Sequence, residues 1–158
     1  MPMTTSSPSE YLLDSNSLVY LVHVPNVFHQ VTRMAVEILE SEGCSLIYTA
    51  QNAVEFWSAC TRPIASGGLG YSVATTQAQY SAIQMRFQMA PDPLQLHETW
   101  LKTVVENDVK GRQVHDARIA ASMRLHGIEK IITKNVKDFR RYLFLQPLSP
   151  EDVLAGMR

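Results

Sequence analysis

Tyr11-Leu12-Leu13-Asp14-Ser15-Asn16-Ser17 is the stretch around which this chain is organised. Its three apolar residues form a short run typical of a buried strand, and the Asp/Ser/Asn that follows is typical of a helix start. Asp14 is therefore predicted at the carboxyl end of a strand, where open α/β sheets bind ligands. Taken alone, the stretch favours Asp14 as a helix N-cap or turn residue. A chemical role requires partner carboxylates placed in the same way.

Predicted strands and helices alternate along the rest of the chain. An apolar repeat at helical spacing runs from Val31 to Leu39 and ends at Gly43, as expected of an amphipathic helix. Further strands are predicted at residues 45–48, 88–90, 131–133 and 143–145, and further helices at 17–22, from 49, at 73–87, 94–105 and 114–126, and from 135 through 142. This alternation predicts an α/β fold, a three-layer α/β/α sandwich with a central, mainly parallel sheet.

The composition indicates a globular protein of one domain. The chain has 158 residues, of which 46% are apolar and 18% charged, enough to bury a core. Residues 1–9 are expected to be a loose leader rather than a signal peptide, and residues 10–158 a single domain. Cys44 and Cys60 form neither a disulfide framework nor a metal spacing, which favours buried thiols in the reducing cytoplasm. The apolar runs are too short to predict a membrane span.

Basic residues are concentrated in residues 101–141. This segment holds ten basic and five acidic residues, a net charge of +5, while the other four basic and ten acidic residues give −6. A basic face attracts phosphates, and ordinary solvated helix surface explains the charges equally well. Arg62, Lys134 and Lys137 lie near the predicted carboxyl edge of the sheet and are the candidates for phosphate contacts.

Four carboxylates are predicted at that same edge. Asp14, Glu55 and Asp138 each follow a predicted strand, and Asp116 opens a helix that must run antiparallel to the sheet, so its start faces the same way. Clustered carboxylates repel one another unless a cation or protons neutralise them, and ligand sets made only of oxygen suit Mg²⁺ or Mn²⁺. Each acid alone is better explained as a helix-start charge, so the prediction depends on their joint placement.

Each of these acids lies in a distinctive segment. The segments are Leu12-Leu13-Asp14-Ser15-Asn16-Ser17-Leu18, Asn52-Ala53-Val54-Glu55-Phe56-Trp57, Val114-His115-Asp116-Ala117-Arg118-Ile119-Ala120-Ala121 and Ile132-Thr133-Lys134-Asn135-Val136-Lys137-Asp138-Phe139. In this order they resemble the signature segments of PIN-domain ribonucleases, in particular VapC-type proteins, over about residues 10–146. The resemblance implies a PIN-like domain with Mg²⁺- or Mn²⁺-dependent endoribonuclease activity. It also implies a toxin whose partners are RNA, a cognate antitoxin and a second copy of the chain.

The resemblance also implies catalytic roles for particular residues. The acidic positions of the family fall on Asp14, Glu55 and Asp116, and its fourth position, often Asp, falls on Asn135. Asp138 belongs to the Asp-Phe ending common in the VapC-type pattern. In the mechanism expected from this pattern, Asp14 and Asp116 hold the metal ion, and Glu55 and Asp138 act through water.

The neighbours of the acids are predicted to support them. Ser15 and Thr133 match small hydroxyl positions beside the family's acids. Asn135 is placed to cap the short helix that follows it, with the Asp138 carboxylate bonding back to the N–H of the cap. His115 adjoins Asp116 and is either a proton donor to a leaving group or a structural hydrogen-bonding residue.

Two other functions remain open at the level of sequence. The substitution of Asn135 for the fourth acid is compatible with a catalytically weak PIN-like module that binds RNA or protein. A different Mg²⁺-dependent phosphohydrolase on a doubly wound sheet is the other alternative. The Asp-x-Asp nucleophile pattern usual in such enzymes is absent, because Asn16 occupies its second position.

Overall fold

The computed structural model describes residues 8–158, so most of the predicted leader, residues 1–7, lies outside the described residues. A five-stranded sheet forms the centre of the molecule, and all of its strand pairs are parallel. Its strands are β1 (Glu10–Leu13), β2 (Ser45–Thr49), β3 (Gln88–Ala90), β4 (Lys130–Ile132) and β5 (Gln146–Leu148), in the order β3-β2-β1-β4-β5.

Helices cover both faces of this sheet, so the predicted three-layer α/β/α sandwich is confirmed. The described α-helices are α1 (Ser15–Val22), α2 (His29–Ser41), α3 (Ala50–Thr61), α4 (Val73–Arg86), α5 (Leu96–Glu106), α6 (Gln113–His126), α7 (Val136–Phe139) and α8 (Pro150–Leu154). A 3₁₀ turn, Ile64–Ser66, follows α3. None of the helices between residues 8 and 158 combines the length and the apolar character that a membrane crossing needs.

The alternation of side chains along β1 creates two separate cores. Tyr11 and Leu13 point to the face covered by α1, α2, α3, α4 and α8. Leu12 points to the opposite face, where it packs with Ile131 of β4 and Ile119 of α6. Because β1 is central and buried on both faces, its sequence from Tyr11 to Leu13 is continuously apolar and does not alternate with polar residues.

The strand order reverses between β1 and β4. The chain builds β1, β2 and β3 in one direction across the sheet and then adds β4 and β5 on the other side of β1. The carboxyl ends of the two strands that flank such a reversal leave a crevice, which is the usual ligand site of open α/β sheets. Asp14 follows β1 and Thr133 follows β4, and the two residues therefore meet at this crevice.

The predictions for the last part of the chain were partly wrong. The final strand is Gln146–Leu148 rather than residues 143–145, and Leu143 is 95% exposed. The apolar run suggested a strand, but Leu145 packs into the core from a turn. The strand instead includes Pro147, which is tolerated because β5 lies at the edge of the sheet.

Two helices at this end also differ from prediction. The short helix α7 ends at Phe139, not at residue 142. The helix α8 was not predicted, although its sequence carries a clear start signal: Ser149 and Asp152 form a capping box, and Pro150 occupies the first turn. It packs against α2 and closes the sandwich at the β5 edge.

Candidate active site

A cavity of about 580 Å³ opens at the carboxyl edge of the sheet, where the strand order reverses. Four carboxylates from four separate segments line it: Asp14 after β1, Glu55 on α3, Asp116 in the first turn of α6 and Asp138 on α7. The structure therefore brings together all four acids that the sequence placed at one edge. Asn135, which the resemblance places at the fourth acidic position, lines the same cavity.

Asp14 is buried among neutral hydrogen-bond donors. The residue is 3% exposed, and its Oδ1 accepts from the Ser15 N–H at 2.7 Å. Its Oδ2 accepts from the Thr133 hydroxyl at 2.6 Å and from the Asn16 amide at 2.9 Å. Burial raises the pKa of Asp14 to about 6, and the hydrogen bond from Thr133 opposes the rise. The site thus holds a buried carboxylate that an added cation would stabilise.

Both carboxylate oxygens of Glu55 are also occupied by neutral donors. Its Oε2 accepts from the Ser15 hydroxyl at 2.8 Å, and its Oε1 accepts from the Gln51 amide at 2.9 Å. The backbone that carries Glu55 starts at a capping box between Thr49 and the fully buried Asn52. These contacts hold Glu55 in one direction within the cavity.

Asp116 is strongly affected by the other acids. Its pKa rises to about 7, first because of burial and then because of the negative charges of Asp14, Glu55 and Asp138. The positive charge of Arg141 acts in the opposite direction. Within residues 8–158 no Lys or Arg side chain forms an ion pair with any of the four acids. The cluster is therefore not neutralised by the protein itself.

Asn135 occupies the predicted N-cap position of α7, but the predicted capping hydrogen bonds are absent. The Asn135 side chain makes no capping hydrogen bond, and its N–H donates to the Thr133 hydroxyl at 3.0 Å rather than to Asp138. The reason is the sharp turn after β4, in which Thr133 bonds both to the backbone of Asn135 and to Asp14. The Asp138 carboxylate does not bond to the Asn135 N–H and instead lines the cavity.

The structure separates the three basic residues that the sequence grouped. Arg62 lines the cavity, and its Nε is buried without a hydrogen-bond partner among the described residues. Lys134 instead forms an ion pair with Glu151 of α8 at 2.8 Å and lies 4.1 Å from the centre of the Phe28 ring. Lys137 is exposed and does not line the cavity.

Several residues at the site were missed by reasoning from the sequence. Arg112 lines the cavity just before α6, where the concentration of basic residues in this segment was the available signal. Gln51 lies one helical turn before Glu55, a spacing that could have indicated contact between the two side chains. Asn16 lies two residues after Asp14, so its contact is local to the helix start, whereas Asn52 reaches Asp14 only because the chain folds back.

The donor set fits a divalent cation that keeps several of its waters. Within residues 8–158, no group of three or more His, Cys, Asp or Glu side chains is arranged to hold a metal ion. Mg²⁺ does not need such a group, because it commonly binds through one or two carboxylates and retains waters. A cation would stabilise the charged forms of Asp14 and Asp116 most, because the pKa values of both carboxyl groups are raised.

Solved structures of toxin–antitoxin proteins share this fold. A chain of the VapBC2 complex of Rickettsia felis, bound to a DNA fragment from its promoter, matches with a TM-score of 0.69 and 14% identity over 89% of this chain and 98% of that chain. A chain of VapBC-1 from nontypeable Haemophilus influenzae matches with a TM-score of 0.64 and 19% identity over 90% and 98%. No protein-family model matches the sequence, and no curated protein matches it.

A third match carries a description of activity. The VapC20 toxin of Mycobacterium tuberculosis, described as cleaving the sarcin–ricin loop, matches with a TM-score of 0.55 and 16% identity over 77% of this chain and 86% of that chain. At these identities the matches establish the fold. The resemblance in fold to VapC-type PIN domains, first indicated by the four segments, is confirmed.

Proposed function

We propose that this chain is a Mg²⁺- or Mn²⁺-dependent endoribonuclease and the toxin of a VapC-type toxin–antitoxin pair. One observation carries the proposal: four carboxylates, contributed by four separate segments, line one cavity at the strand-order reversal, and no Lys or Arg of residues 8–158 forms an ion pair with them. The match to a toxin that cleaves the sarcin–ricin loop supports RNA as the substrate.

In the proposed reaction, water attacks a phosphodiester of the RNA. A bond forms between the oxygen of water and phosphorus, the bond from phosphorus to the leaving oxygen breaks, and a proton returns to that oxygen. Glu55 is held in one direction by Ser15 and Gln51, so its carboxylate can orient the attacking water and take a proton from it. His115 lines the same cavity, and its ring N–H can donate a hydrogen bond to the leaving oxygen, which takes its proton from water.

Asp14 and Asp116 would hold the metal ion, and Asp138 and Glu55 would contact its waters. When bound, such an ion stabilises negative charge on the phosphate in transit and lowers the pKa of water. The chain's own contribution is to keep these carboxylates close together. Asp14 is held by its hydrogen bonds to Ser15 and Thr133, and its own N–H donates to the Ile132 carbonyl of the neighbouring strand.

Two arginines are suited to hold the RNA backbone. Arg62 and Arg112 both line the cavity but belong to different elements, the end of α3 and the start of α6. Guanidinium groups bind phosphates with two parallel hydrogen bonds. We propose that these two residues, rather than Lys134, make the first phosphate contacts, because Lys134 is already paired with Glu151.

The partners are proposed from the structures that share the fold. Matching chains come from VapBC complexes and from a complex of FitAB with DNA. We propose by analogy that this chain binds a cognate antitoxin and forms a homodimer. Co-expression with a neighbouring small open reading frame, followed by purification of a complex, tests the antitoxin assignment.

An RNA cleavage assay tests the enzymatic proposal directly. The purified chain is expected to cut single-stranded or structured RNA in the presence of Mg²⁺ or Mn²⁺ and to lose this activity in EDTA. Restoration of cleavage by added Mg²⁺ after EDTA treatment is the expected control. Cleavage that persists unchanged in excess EDTA would contradict metal dependence.

A catalytically weak binding module is the second candidate. It is favoured by one observation, the amide of Asn135 in place of the fourth carboxylate. Under this alternative, the chain binds RNA or protein at the cavity without cutting it. RNA binding with no Mg²⁺-dependent cleavage, measured on the same preparation, would select this candidate.

A further inference from the structure

Gln51 connects three side chains at the edge of the cavity. It lies in the first turn of α3, and its Nε2 donates to Glu55 Oε1 at 2.9 Å. The same Nε2 lies 3.3 Å from Nδ1 of His115 on α6. At its other end, Gln51 Oε1 accepts from Nη1 of Arg118 at 3.4 Å. One amide group therefore joins an acid of the site, a histidine of the cavity wall and an arginine.

The orientation of this amide is determined by its charged neighbours. A guanidinium group has only donors and a carboxylate only acceptors, so the amide oxygen must face Arg118 and the amide nitrogen must face Glu55. Arg118 is itself held by an ion pair with Asp92 at 2.8 Å. A rotated amide would place two oxygens against each other at Glu55 and two sets of donors against each other at Arg118.

This orientation also determines how the His115 ring is protonated. The amide nitrogen has two N–H groups, and the one not used by Glu55 is available to Nδ1 of His115. If Nδ1 accepts this hydrogen bond, the proton of the neutral ring must lie on Nε2. Gln51 thus acts on two cavity residues from different elements, Glu55 of α3 and His115 of α6.

We propose that Gln51 is a positioning residue for the proposed cleavage reaction. It holds the Glu55 carboxylate in the direction required to orient water, and its N–H favours the His115 tautomer in which Nδ1 accepts and Nε2 carries the proton. Glu55 and His115 contact the reacting groups, and Gln51 acts only through them. The catalytic part of this inference rests on the proposed endoribonuclease function. The hydrogen-bonding part does not.

Two substitutions separate positioning from packing. Gln51→Glu keeps the shape of the side chain but has no N–H to donate and adds a charge beside Glu55. Gln51→Met keeps the length, cannot donate and adds no charge. We expect kcat to fall at least about tenfold in Gln51→Glu and by about three- to fivefold in Gln51→Met, with KM changed by less than about twofold in both. A packing role predicts the opposite ranking, because Gln51→Glu is the closer match in shape.

Gln84 provides a matched control, because it is an exposed glutamine on α4. Gln84→Met is expected to leave kcat, KM and the melting temperature unchanged. Wild-type kinetics in Gln51→Glu at saturating Mg²⁺, or a change confined to KM, would overturn the positioning role.

A second measurement does not depend on cleavage. In ¹⁵N-labelled, metal-free protein at about pH 9, where imidazoles are neutral, nitrogen chemical shifts distinguish the two ring tautomers. The signals of His115 are assigned by their loss in His115→Gln. We expect the wild-type ring to be protonated on Nε2 and the ring in Gln51→Met to become a mixture of both forms.

The two measurements distinguish failure of this inference from failure of the proposed function. A wild-type His115 ring protonated on Nδ1 would overturn the inference even if the protein cleaves RNA. Absence of cleavage in the wild type, together with the expected tautomer and its loss in Gln51→Met, would contradict the nuclease function and with it the catalytic role of Gln51, while confirming the hydrogen bond.

Discussion

At the scale of single residues, the site is built from a buried acid surrounded by neutral donors. Asp14 receives hydrogen bonds from Ser15, Asn16 and Thr133, yet the residues the structure describes supply it with no ion pair. Neutral donors fix the direction of a carboxylate and leave its charge available. An arginine in their place would cancel the charge that a metal ion needs.

Thr133 tests this arrangement. Thr133→Val keeps the shape and removes the hydroxyl that donates to Asp14 at 2.6 Å. We expect the free energy of unfolding to fall by about 1–3 kcal/mol, because the buried Asp14 carboxylate loses a donor and the Asn135 N–H loses its acceptor. Urea denaturation is the measurement. Thr103→Val, which removes only a hydroxyl bonded to the carbonyl one helical turn earlier, is the control and should lose clearly less.

One of the structural roles that the sequence predicted for Asp138 is not observed. Its predicted bond to the N–H of Asn135 is absent, so Asp138→Asn should cost only the helix-dipole contribution, roughly 0.3–1 kcal/mol. We expect cleavage to fall at least about tenfold, equal to ~1.4 kcal/mol of transition-state stabilisation, with a weaker dependence on Mg²⁺.

The control for this substitution is Asp152→Asn, because Asp152 accepts from the Ser149 N–H at 2.8 Å in a real capping box. That variant keeps an oxygen that can accept this bond, as Asn52 does in the capping box of α3, so it should lose only the helix-dipole contribution, roughly 0.3–1 kcal/mol, and keep full cleavage activity. If Asp138→Asn cuts RNA at the wild-type rate and only its melting temperature falls slightly, Asp138 is a helix-start acid. Catalysis then depends on the other three carboxylates.

At the scale of elements, two pairs of basic residues are candidates for the proposed contact with RNA. The first is formed by Arg62 and Arg112, which line the cavity, and the second by Lys134 and Lys137, which do not. The double variant Arg62→Ala with Arg112→Ala should weaken RNA binding. It should also make the slope of log K against log salt shallower by about 1.4, since each phosphate contact on single strands contributes about 0.7.

The double variant Lys134→Ala with Lys137→Ala is the comparison for the arginine pair. Lys134 is held by Glu151, so its loss should change the slope less than the loss of the two arginines. Both slopes come from the same titration, repeated over a series of salt concentrations. Equal slopes in the wild type and the arginine variant would show that neither arginine contacts a phosphate.

The elements also show where sequence reasoning succeeds. β1, β2 and β4 were predicted to within about one residue, because central parallel strands are continuous apolar runs with polar boundaries. The edge strand β5 was misplaced, because it is short, contains Pro147 and follows a more apolar segment that folds as a turn. The other edge strand, β3, was predicted at its observed bounds, Gln88–Ala90, where Pro91 marks its end, so the apolar run at residues 143–145 rather than the edge position explains the error in β5.

The candidate site was predictable to the same limited extent. The four acids could be placed at one edge, because the direction of each element in a parallel sheet follows from the alternation of strands and helices. The resemblance placed Ser15 and Thr133 beside the acids, but the sequence did not show which atoms they bond, and it did not place Gln51 or Asn52. Gln51 reaches His115 across 64 residues of sequence, and Thr133 reaches Asp14 across 119. Such contacts depend on side-chain directions that the sequence does not contain.

At the scale of the whole molecule, the site makes stability depend on pH. The folded protein holds protons on Asp14 and Asp116 with pKa values of about 6 and about 7, whereas the ordinary value is 3.8. The folded state therefore binds more protons than the unfolded chain over this range. The contribution of these two carboxyl groups to the free energy of unfolding of the metal-free protein therefore falls as the pH rises from 3.8 through these folded values.

We expect the melting temperature of the metal-free protein, measured in EDTA, to decrease between about pH 4 and pH 7. Mg²⁺ added at about pH 7.5 should raise it again, because the ion binds the folded state with both carboxylates charged. NaCl of equal ionic strength is the control. In Asp116→Asn the decrease with pH should be smaller, and a decrease as large as that of the wild type would contradict the assigned pKa of Asp116.

The central claim is that a charged carboxylate cluster at the strand-order reversal binds a metal ion and cleaves RNA. Asp116→Asn tests it most directly, because the substitution keeps the size of the side chain and removes one ligand charge. At saturating Mg²⁺ we expect cleavage to fall at least about a hundredfold, equal to ~2.7 kcal/mol. The metal-free variant should melt no lower than the metal-free wild type, because the charge it loses is repelled by Asp14, Glu55 and Asp138. Full cleavage by a correctly folded Asp116→Asn at saturating Mg²⁺ would contradict this account.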